Sequence, residues 1–433
     1  MNPATPLFWQ AIDTTAPSER SLRRRPEFRL LLVVCWVLSI TCLSMPGRGG
    51  PLELSSVDWI ALIKIMARGG SLLCLGMILL RMHDNRRTGH VLARLIPLAL
   101  FALWCMTSTL WSAMKAVSFG HAVEVFTLVL LSIVTAILCS SEEYLEAILF
   151  QLFLTALILS AGILLLDMKA VLAGERPAGY VHPNTLGAIS SIGLILLLGS
   201  RLLWRWKWTQ RFLVAGLPIC FAALYISRSR SSLLATFIVL TILFLVKRQM
   251  GFLTVTLSIA GILIGLFPYL DAIKHVPDSI GGYILRGQTQ AEVMGGSGRD
   301  ELWAIALASF RDAPWFGHGY FTITNSGSLF VWHKQQFQTA HNLALHLLTG
   351  AGLFGAALFI WGIGAALKPC FANWRGFAHE RRIEFLVSLV FVWYLILGCF
   401  EISMLGPLNE AVLAFFVATG TLVGSTIPRT AAR

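Results

Sequence analysis

Residues Arg20–Met45 read RSLRRRPEFRLLLVVCWVLSITCLSM. Five arginines (Arg20, Arg23, Arg24, Arg25 and Arg29) lead straight into an apolar run over 30–45. No small-residue cleavage pattern follows the basic stretch, so the sequence predicts a retained first membrane span with the basic tail in the cytoplasm. The same alternation of apolar run and short polar connector continues along the chain. Of its 433 residues 56% are hydrophobic and 13% charged. Mean hydropathy is +0.72. An ordinary soluble domain carries about a quarter charged residues, so a secreted globular protein, a nucleic-acid-binding domain and a disordered tail are all excluded. The formal charge of +12 follows membrane topology and does not mark a nucleic-acid partner.

A span needs about 20 apolar residues. Spans are expected near 30–45, 57–80, 91–108, 118–139, 144–166, 185–200, 211–227, 231–246, 251–270, 342–367, 385–400 and 410–427. With the N-terminus inside, the cytoplasmic segments carry 21 of the 34 lysines and arginines and the outer loops 11. This bias sets both termini in the cytoplasm. The expected organisation is an all-α polytopic membrane protein: a tail over 1–29, a single membrane domain over 30–427 with a long outward loop over 271–341, and a short tail over 428–433. The loop is too polar for the bilayer and too long for a plain connector, which marks it as functional. Within it, Leu302, Ile305, Ala306 and Phe310 recur at helical spacing, predicting a helix over Glu301–Arg311 that Asp312-Ala313-Pro314 stops. The eight cysteines (Cys35, Cys42, Cys74, Cys105, Cys139, Cys220, Cys370 and Cys399) show neither a disulfide framework nor zinc spacing, and read as packing residues.

Four polar clusters sit at the outer ends of spans. Arg176-Pro-Ala-Gly-Tyr-Val-His182-Pro183-Asn184-Thr-Leu-Gly187 opens span six, with Asn184 the expected helix cap. Ser227-Arg228-Ser229-Arg230-Ser231-Ser232 forms a tight turn whose arginines run against the charge bias, a functional signal that competes with snorkelling to lipid phosphates. Gly295-Gly-Ser-Gly298-Arg299-Asp300-Glu301 could nest an anion, although its two acids oppose that and also suit a helix's first turn. His341-Asn342 opens span ten, where Asn342 can cap the helix. Gly352, eleven residues on, is expected on the same face as His341, and with Gly355 is expected to permit close helix approach. Each cluster alone also reads as a turn, a cap or a packing face. Together they set arginines and histidines at three helix N-termini on one side of the membrane, as a large anion would require. No carboxylate pair or metal-type cluster joins them, so arginines are expected to neutralise a phosphate. His121 with Glu124 and Lys64 with Arg68 are expected to be structural pairs, and Trp111-Ser112 an interfacial anchor.

These elements resemble a known family. His341-Asn342, nine residues, Gly352, two residues, Gly355 is similar to the signature of bacterial O-antigen ligases and the related O-antigen and exopolysaccharide polymerases. Gly179–Gly187, Ser229-Arg230-Ser231, Ser297-Gly298-Arg299 with Trp303, Pro314-Trp-Phe-Gly317-His-Gly319-Tyr320 and, more loosely, Thr109-Leu-Trp111-Ser112 resemble further motifs of that family, in the same order, so that the likeness covers about 105–370. The His-Pro-Asn element is polymerase-like, and the His-Asn spacing fits the ligase signature.

The resemblance implies a fold like that of the membrane glycosyltransferases. It also implies an inverting transfer of a glycan from undecaprenyl diphosphate to a sugar hydroxyl at the periplasmic face of the bacterial inner membrane, without metal or nucleotide. The acceptor would be lipid A–core or a growing polysaccharide, with membrane lipids around the protein, a flippase and a chain-length regulator as partners, and no nucleic acid. By residue, it makes His341 the general base and gives Arg230 and Arg299 the diphosphate, with Arg228 a second candidate for the turn position and Arg176, His182, Asn184 and Asn342 in support. Two other classes remain: a transporter of lipid-linked sugars, against which stands the lack of a visible repeat or mid-membrane charge, and a scaffold, which has no need of outward arginines beside a histidine.

Overall fold

The structure, a computed structural model, describes residues 26–41, 59–82, 86–139, 141–173, 175–177, 179–249, 251, 254, 299–322, 340–371, 382–402 and 404–427. Among these residues there is no strand. The helices are α1 (Pro26–Ile40), α2 (Trp59–Arg81), α3 (Arg86–Thr107), α4 (Lys115–Leu138), α5 (Glu142–Leu166), the short α6 (Met168–Leu172), α7 (Pro183–Leu203), α8 (Lys207–Ser227), α9 (Arg230–Val246), α10 (Arg299–Asp312), α11 (Leu343–Phe371), α12 (Arg382–Gly398) and α13 (Glu410–Thr426). Seven of them are long and apolar enough to cross a membrane, and α9 and α13 are shorter apolar helices. The chain is a multi-pass membrane protein. The span expected over 251–270 and most of the 271–341 loop lie outside the described residues, as do the tails over 1–25 and 428–433.

Helices α7 and α13 form the centre. Helix α7 packs on α5 and α8, α13 on α4, α11 on α3, and α9 on α12. Small residues allow these approaches. A Cβ on Gly193 would lie 2.9 Å from Cys220 Sγ of α8, and one on Gly420 would lie 2.3 Å from the Ser132 carbonyl of α4. Without a hydrophobic drive between helices in lipid, such close contact supplies the packing attraction. At the opposite end from the site, Arg87 is buried and its Nη2 donates to the carbonyls of Ala136 (3.2 Å), Cys139 (3.1 Å) and Gly424 (2.6 Å). A cation thus satisfies the negative C-terminal ends of α4 and α13 together.

Helix α11 departs from the expected geometry. Gly352 lies at φ +69° and ψ −175°, which breaks the helix. The Pro314–Gly319 segment fills the gap. His318 N–H donates to the Thr349 carbonyl (2.9 Å) and Gly319 N–H to Gly350 (3.1 Å). In return Leu353 N–H donates to Pro314 (2.8 Å) and Phe354 N–H to Trp315 (3.1 Å). The backbone groups freed by the break are repaired by the loop, as membrane-embedded backbone demands. Gly317 (φ +66°) and Gly352 face each other here: a Cβ on Gly352 would sit 2.4 Å from the Trp315 carbonyl oxygen, and one on Gly317 2.5 Å from that of Gly350. Gly352 therefore does not share a helical face with His341, which itself precedes the helix. It serves a splice between loop and broken helix. Gly355 does permit close approach, to Trp104, whose Nε1 donates to the Ala351 carbonyl at 2.9 Å. Trp111 and Ser112 have a more specific place than a lipid anchor. Trp111 Nε1 donates to the Gly317 carbonyl (3.1 Å), and Ser112 Oγ hydrogen-bonds Ser118 (2.7 Å) and Thr322.

Candidate active site

The N-termini of four helices, α7, α9, α10 and α11, gather at one end of the bundle. At α7, Pro183 occupies the first helical position, for which its fixed φ is suited. The cap is therefore the residue before it: His182 Nδ1 accepts from Asn184 N–H at 3.3 Å. Asn184 is not the cap that the sequence led us to expect. Its side chain is free to reach across, and its Nδ2 donates to Glu401 Oε1 at 2.7 Å while its Oδ1 accepts from Arg176 Nη2 at 3.0 Å. Arg176 Nε also donates to the Ser227 carbonyl at 3.1 Å, tying this segment to the α8–α9 turn. That turn packs directly on α7 because residue 187 is glycine: a Cβ there would lie 2.7 Å from Ser229 Cβ.

In the turn, Arg228 ends α8 in a left-handed conformation (φ +50°), and Arg230 is the first residue of α9. Arg230 is half-buried and within electrostatic reach of Arg299. Helix α10 spans Arg299–Asp312, so Arg299 is its first residue. The glycines 295, 296 and 298 of the expected nest lie outside the described residues. Arg299 Nη2 lies 3.3 Å from Glu401 Oε1, and its Cζ is 5.8 Å from the centre of the Phe400 ring.

His341 stands just before α11 at φ +44°, a conformation a non-glycine residue rarely adopts. Its neighbours hold it there. Trp303 Nε1 donates to the Ala340 carbonyl at 2.9 Å, Asn342 Oδ1 caps α11 through Leu345 N–H at 3.1 Å, and Asn342 Nδ2 donates to the Cys399 carbonyl at 3.3 Å. His341 Nδ1 lies 2.9 Å from Glu401 Oε2.

Glu401 is thus the hub of the site: one oxygen faces His341, the other Arg299 and Asn184. None of the four sequence clusters contains it. The signal was an acidic residue at the very end of span eleven, a costly place for a charge. Its side chain is 15% exposed. Burial pushes its carboxyl up, but the His341 hydrogen bond and the charges of His341, Arg299 and His182 outweigh that and hold it below the usual carboxylate range. The structure therefore brings together Arg176, His182, Asn184, Arg299, His341 and Asn342 around one carboxylate, with Arg230 beside Arg299. Arg228 lies two residues before Arg230, at the end of α8. No three His, Cys, Asp or Glu side chains among those residues converge as a metal site.

Chemically, a carboxylate on Nδ1 fixes an imidazole tautomer and leaves Nε2 as the proton acceptor. The guanidinium groups gathered at this end of the bundle suit an anion.

Residues 215–360 match the family model described as "O-Antigen ligase". A curated O-antigen ligase of Pseudomonas aeruginosa (strain PAO1) is 28% identical over 198 residues, which is 44% of this chain and 42% of that protein. These matches support the O-antigen ligase family. The chain spans less than half the length of the curated relative it matches. The family match covers Arg228, Arg230, Arg299, His341 and Gly352. Arg176, His182, Asn184 and Glu401 lie outside it, and the fold brings the first three and the last to the matched residues.

Proposed function

We propose that the protein transfers a glycan from undecaprenyl diphosphate to a sugar hydroxyl at the periplasmic face of the inner membrane, on a fold of about twelve spans like that of the membrane glycosyltransferases, with both termini cytoplasmic. The observation that carries this reading is the His341–Glu401 pair at the entry of α11, with Arg299 on the same carboxylate. In the proposed step the acceptor hydroxyl oxygen attacks the anomeric carbon from the face opposite the diphosphate. Its proton passes to His341 Nε2. The bond from the anomeric carbon to the diphosphate oxygen breaks, the anomeric configuration inverts, and undecaprenyl diphosphate leaves with the electron pair. Arg230 and Arg299 take up the growing phosphate charge. A guanidinium has five donors, so Arg299 can keep Glu401 and still reach phosphate. Arg176, His182 and Asn184 hold Glu401 and the turn, Asn342 holds the start of α11, and Arg228 lies on the same turn as Arg230. A flippase that delivers the donor and a chain-length regulator are the partners such a reaction calls for.

The test uses purified protein, an undecaprenyl-diphosphate-linked repeat unit and EDTA, with and without lipid A–core. Product only with lipid A–core identifies a ligase, and a ladder of longer lipid-linked chains without it identifies a polymerase. His341→Ala should lower the rate of either product by about 10²–10⁴-fold in a protein that still inserts. Normal transfer by that variant would remove His341 from the base role, and transport of the lipid across vesicles with no new glycosidic bond would replace the proposal with a transporter.

A further inference from the structure

His341 is held at two points, and both lead back to the first turns of α10. Glu401 holds its ring: Oε2 lies 2.9 Å from His341 Nδ1, and Oε1 lies 3.3 Å from Arg299 Nη2. Trp303 holds its backbone, for the indole Nε1 donates to the Ala340 carbonyl at 2.9 Å. Arg299 is the first residue of α10 and Trp303 the fifth. They stand on one face of the helix, about 6 Å apart along its axis. The contacts close a ring that runs from Arg299 through Glu401, His341, Ala340 and Trp303 and, one turn back, to Arg299 again.

The position of the indole's acceptor gives Trp303 its leverage. The φ angle of His341 is the rotation about its N–Cα bond, and the carbonyl carbon of Ala340 is the atom that defines it. That angle is +44°, in the left-handed region where a Cβ crowds the backbone. A residue stays there only while its surroundings hold it. Ala340 is buried, so its carbonyl needs a protein partner, and the indole supplies one. Relaxation of His341 to an ordinary φ near −60° is a rotation of about 100°, which would carry the imidazole off Glu401.

The far end of α10 is fixed separately. His318 Nε2 donates to the Ser309 carbonyl at 2.8 Å and Gly317 N–H to the Ala313 carbonyl at 3.0 Å, and the same segment is spliced into α11 at Gly352. Between the two ends, Leu302 and Ala306 are buried, and α10 packs on α11. Helix α10 is therefore a strut anchored at its C-terminal end. Its first residue offers a guanidinium that is 25% exposed, and one turn on it carries the group that sets the backbone of the base. Whatever fixes Arg299 fixes Trp303 as well.

We propose that Trp303 is a positioning residue that couples the lipid-linked substrate to the base: a diphosphate held by Arg299 steadies the first turns of α10, the indole holds the Ala340 carbonyl, and His341 is kept against Glu401. The proposal rests on the transfer reading above. The base is then fully set only when an anomeric carbon is present for the acceptor hydroxyl to attack.

Amide hydrogen exchange over residues 340–346 tests the coupling without turnover. Protein in nanodiscs is compared with and without undecaprenyl diphosphate. In the wild-type protein the lipid should slow exchange over this segment by about three- to tenfold, the range carried by one hydrogen bond. Trp303→Phe keeps a ring and loses the N–H. It should abolish the slowing and leave the dissociation constant for undecaprenyl diphosphate that of the wild type, because Arg230 and Arg299 are intact. Benzothienylalanine at position 303, which keeps the bicyclic shape and loses only the N–H, should behave in the same way. In the transfer assay Trp303→Phe should lower kcat by about three- to tenfold with the KM for the lipid-linked substrate unchanged, and it should cost nothing further in a His341→Ala background. Equal slowing in the wild type and Trp303→Phe, or no slowing in the wild type, would overturn the proposal. So would lipid affinity that falls in step with kcat, since that marks a tryptophan that merely shapes α10. If the slowing depends on Trp303 yet the wild-type protein makes no glycosidic bond, the coupling stands and the transfer reading falls. If it makes the bond and Trp303→Phe matches the wild type throughout, the transfer reading stands and the coupling falls.

Discussion

Replacing Glu401 by glutamine keeps its shape and removes its charge. In the structure its Oε2 lies 2.9 Å from His341 Nδ1 and its Oε1 2.7 Å from Asn184 Nδ2. If His341 takes a proton in the transition state, the imidazolium forms next to this carboxylate. Two unit charges about 4 Å apart at an effective dielectric of about 20 attract by about 4 kcal/mol, which is about a thousandfold in rate. Glutamine loses that attraction and can also present its amide N–H₂ to Nδ1, which favours the wrong tautomer. The expected result is a fall in kcat of about 10²–10³-fold. The KM for the donor should change much less, because Arg230 and Arg299 remain. The assay is transfer from a labelled lipid-linked repeat unit, with single-turnover rates to separate chemistry from release. A double-mutant cycle sharpens it: in a His341→Ala background, Glu401→Gln should cost little more, because a group acting through His341 has nothing left to act through. A fall of less than about threefold in the single variant, or full additivity in the cycle, would refute the reasoning.

Gly352→Ala should cost about 2–4 kcal/mol, read as a lower melting temperature in detergent, because φ +69° disfavours any side chain and the new Cβ would meet the Trp315 carbonyl. Arg87→Leu should destabilise by a similar amount, about 2–4 kcal/mol, since three carbonyls lose a shared cationic donor; a melting temperature equal to wild type would count against the clamp. Glu401 also makes stability depend on pH. Its folded pKa lies below the unfolded value, so its contribution is present above the ordinary carboxylate pKa of about 4.3 and is lost as pH falls through the lower folded value. Acid unfolding of Glu401→Gln should accordingly show a shallower pH dependence in that window than the wild-type protein, and identical profiles would contradict the pairing.

The membrane class and most helices were legible because apolar runs and cationic connectors act locally along the chain. The α10 helix was legible for the same reason: its periodicity is contained in fourteen residues, and Pro314 follows two residues after its end. The break at Gly352 was not. A glycine eleven residues from His341 looks like a packing glycine until the Pro314–Gly319 segment is seen to donate to and accept from the freed backbone. Sequence spacing carries no record of a partner loop more than thirty residues away. The cap at α7 is a smaller case. Asn184 has the chemistry of a cap, but Pro183 takes the first helical position, and the backbone then gives the capping place to His182.

Glu401 shows why the site was only partly legible. A search for anion-binding groups selects arginines and histidines at helix N-termini, and it found Arg176, His182, Arg230, Arg299 and His341. It passes over the carboxylate that such a group needs. Arginines at this density repel one another, as Arg230 and Arg299 do, and a lone imidazole among them would have no fixed tautomer. One carboxylate placed between His341 and Arg299 addresses both problems. It orients the imidazole and relieves part of the repulsion. A second carboxylate here would weaken the hold on the proposed diphosphate. A similar arrangement recurs at Glu124, whose two oxygens face Arg68 and His121. The pattern to seek in a sequence of this kind is therefore an isolated acidic residue at the end of a span, read together with basic motifs elsewhere in the chain whose charge it only partly offsets.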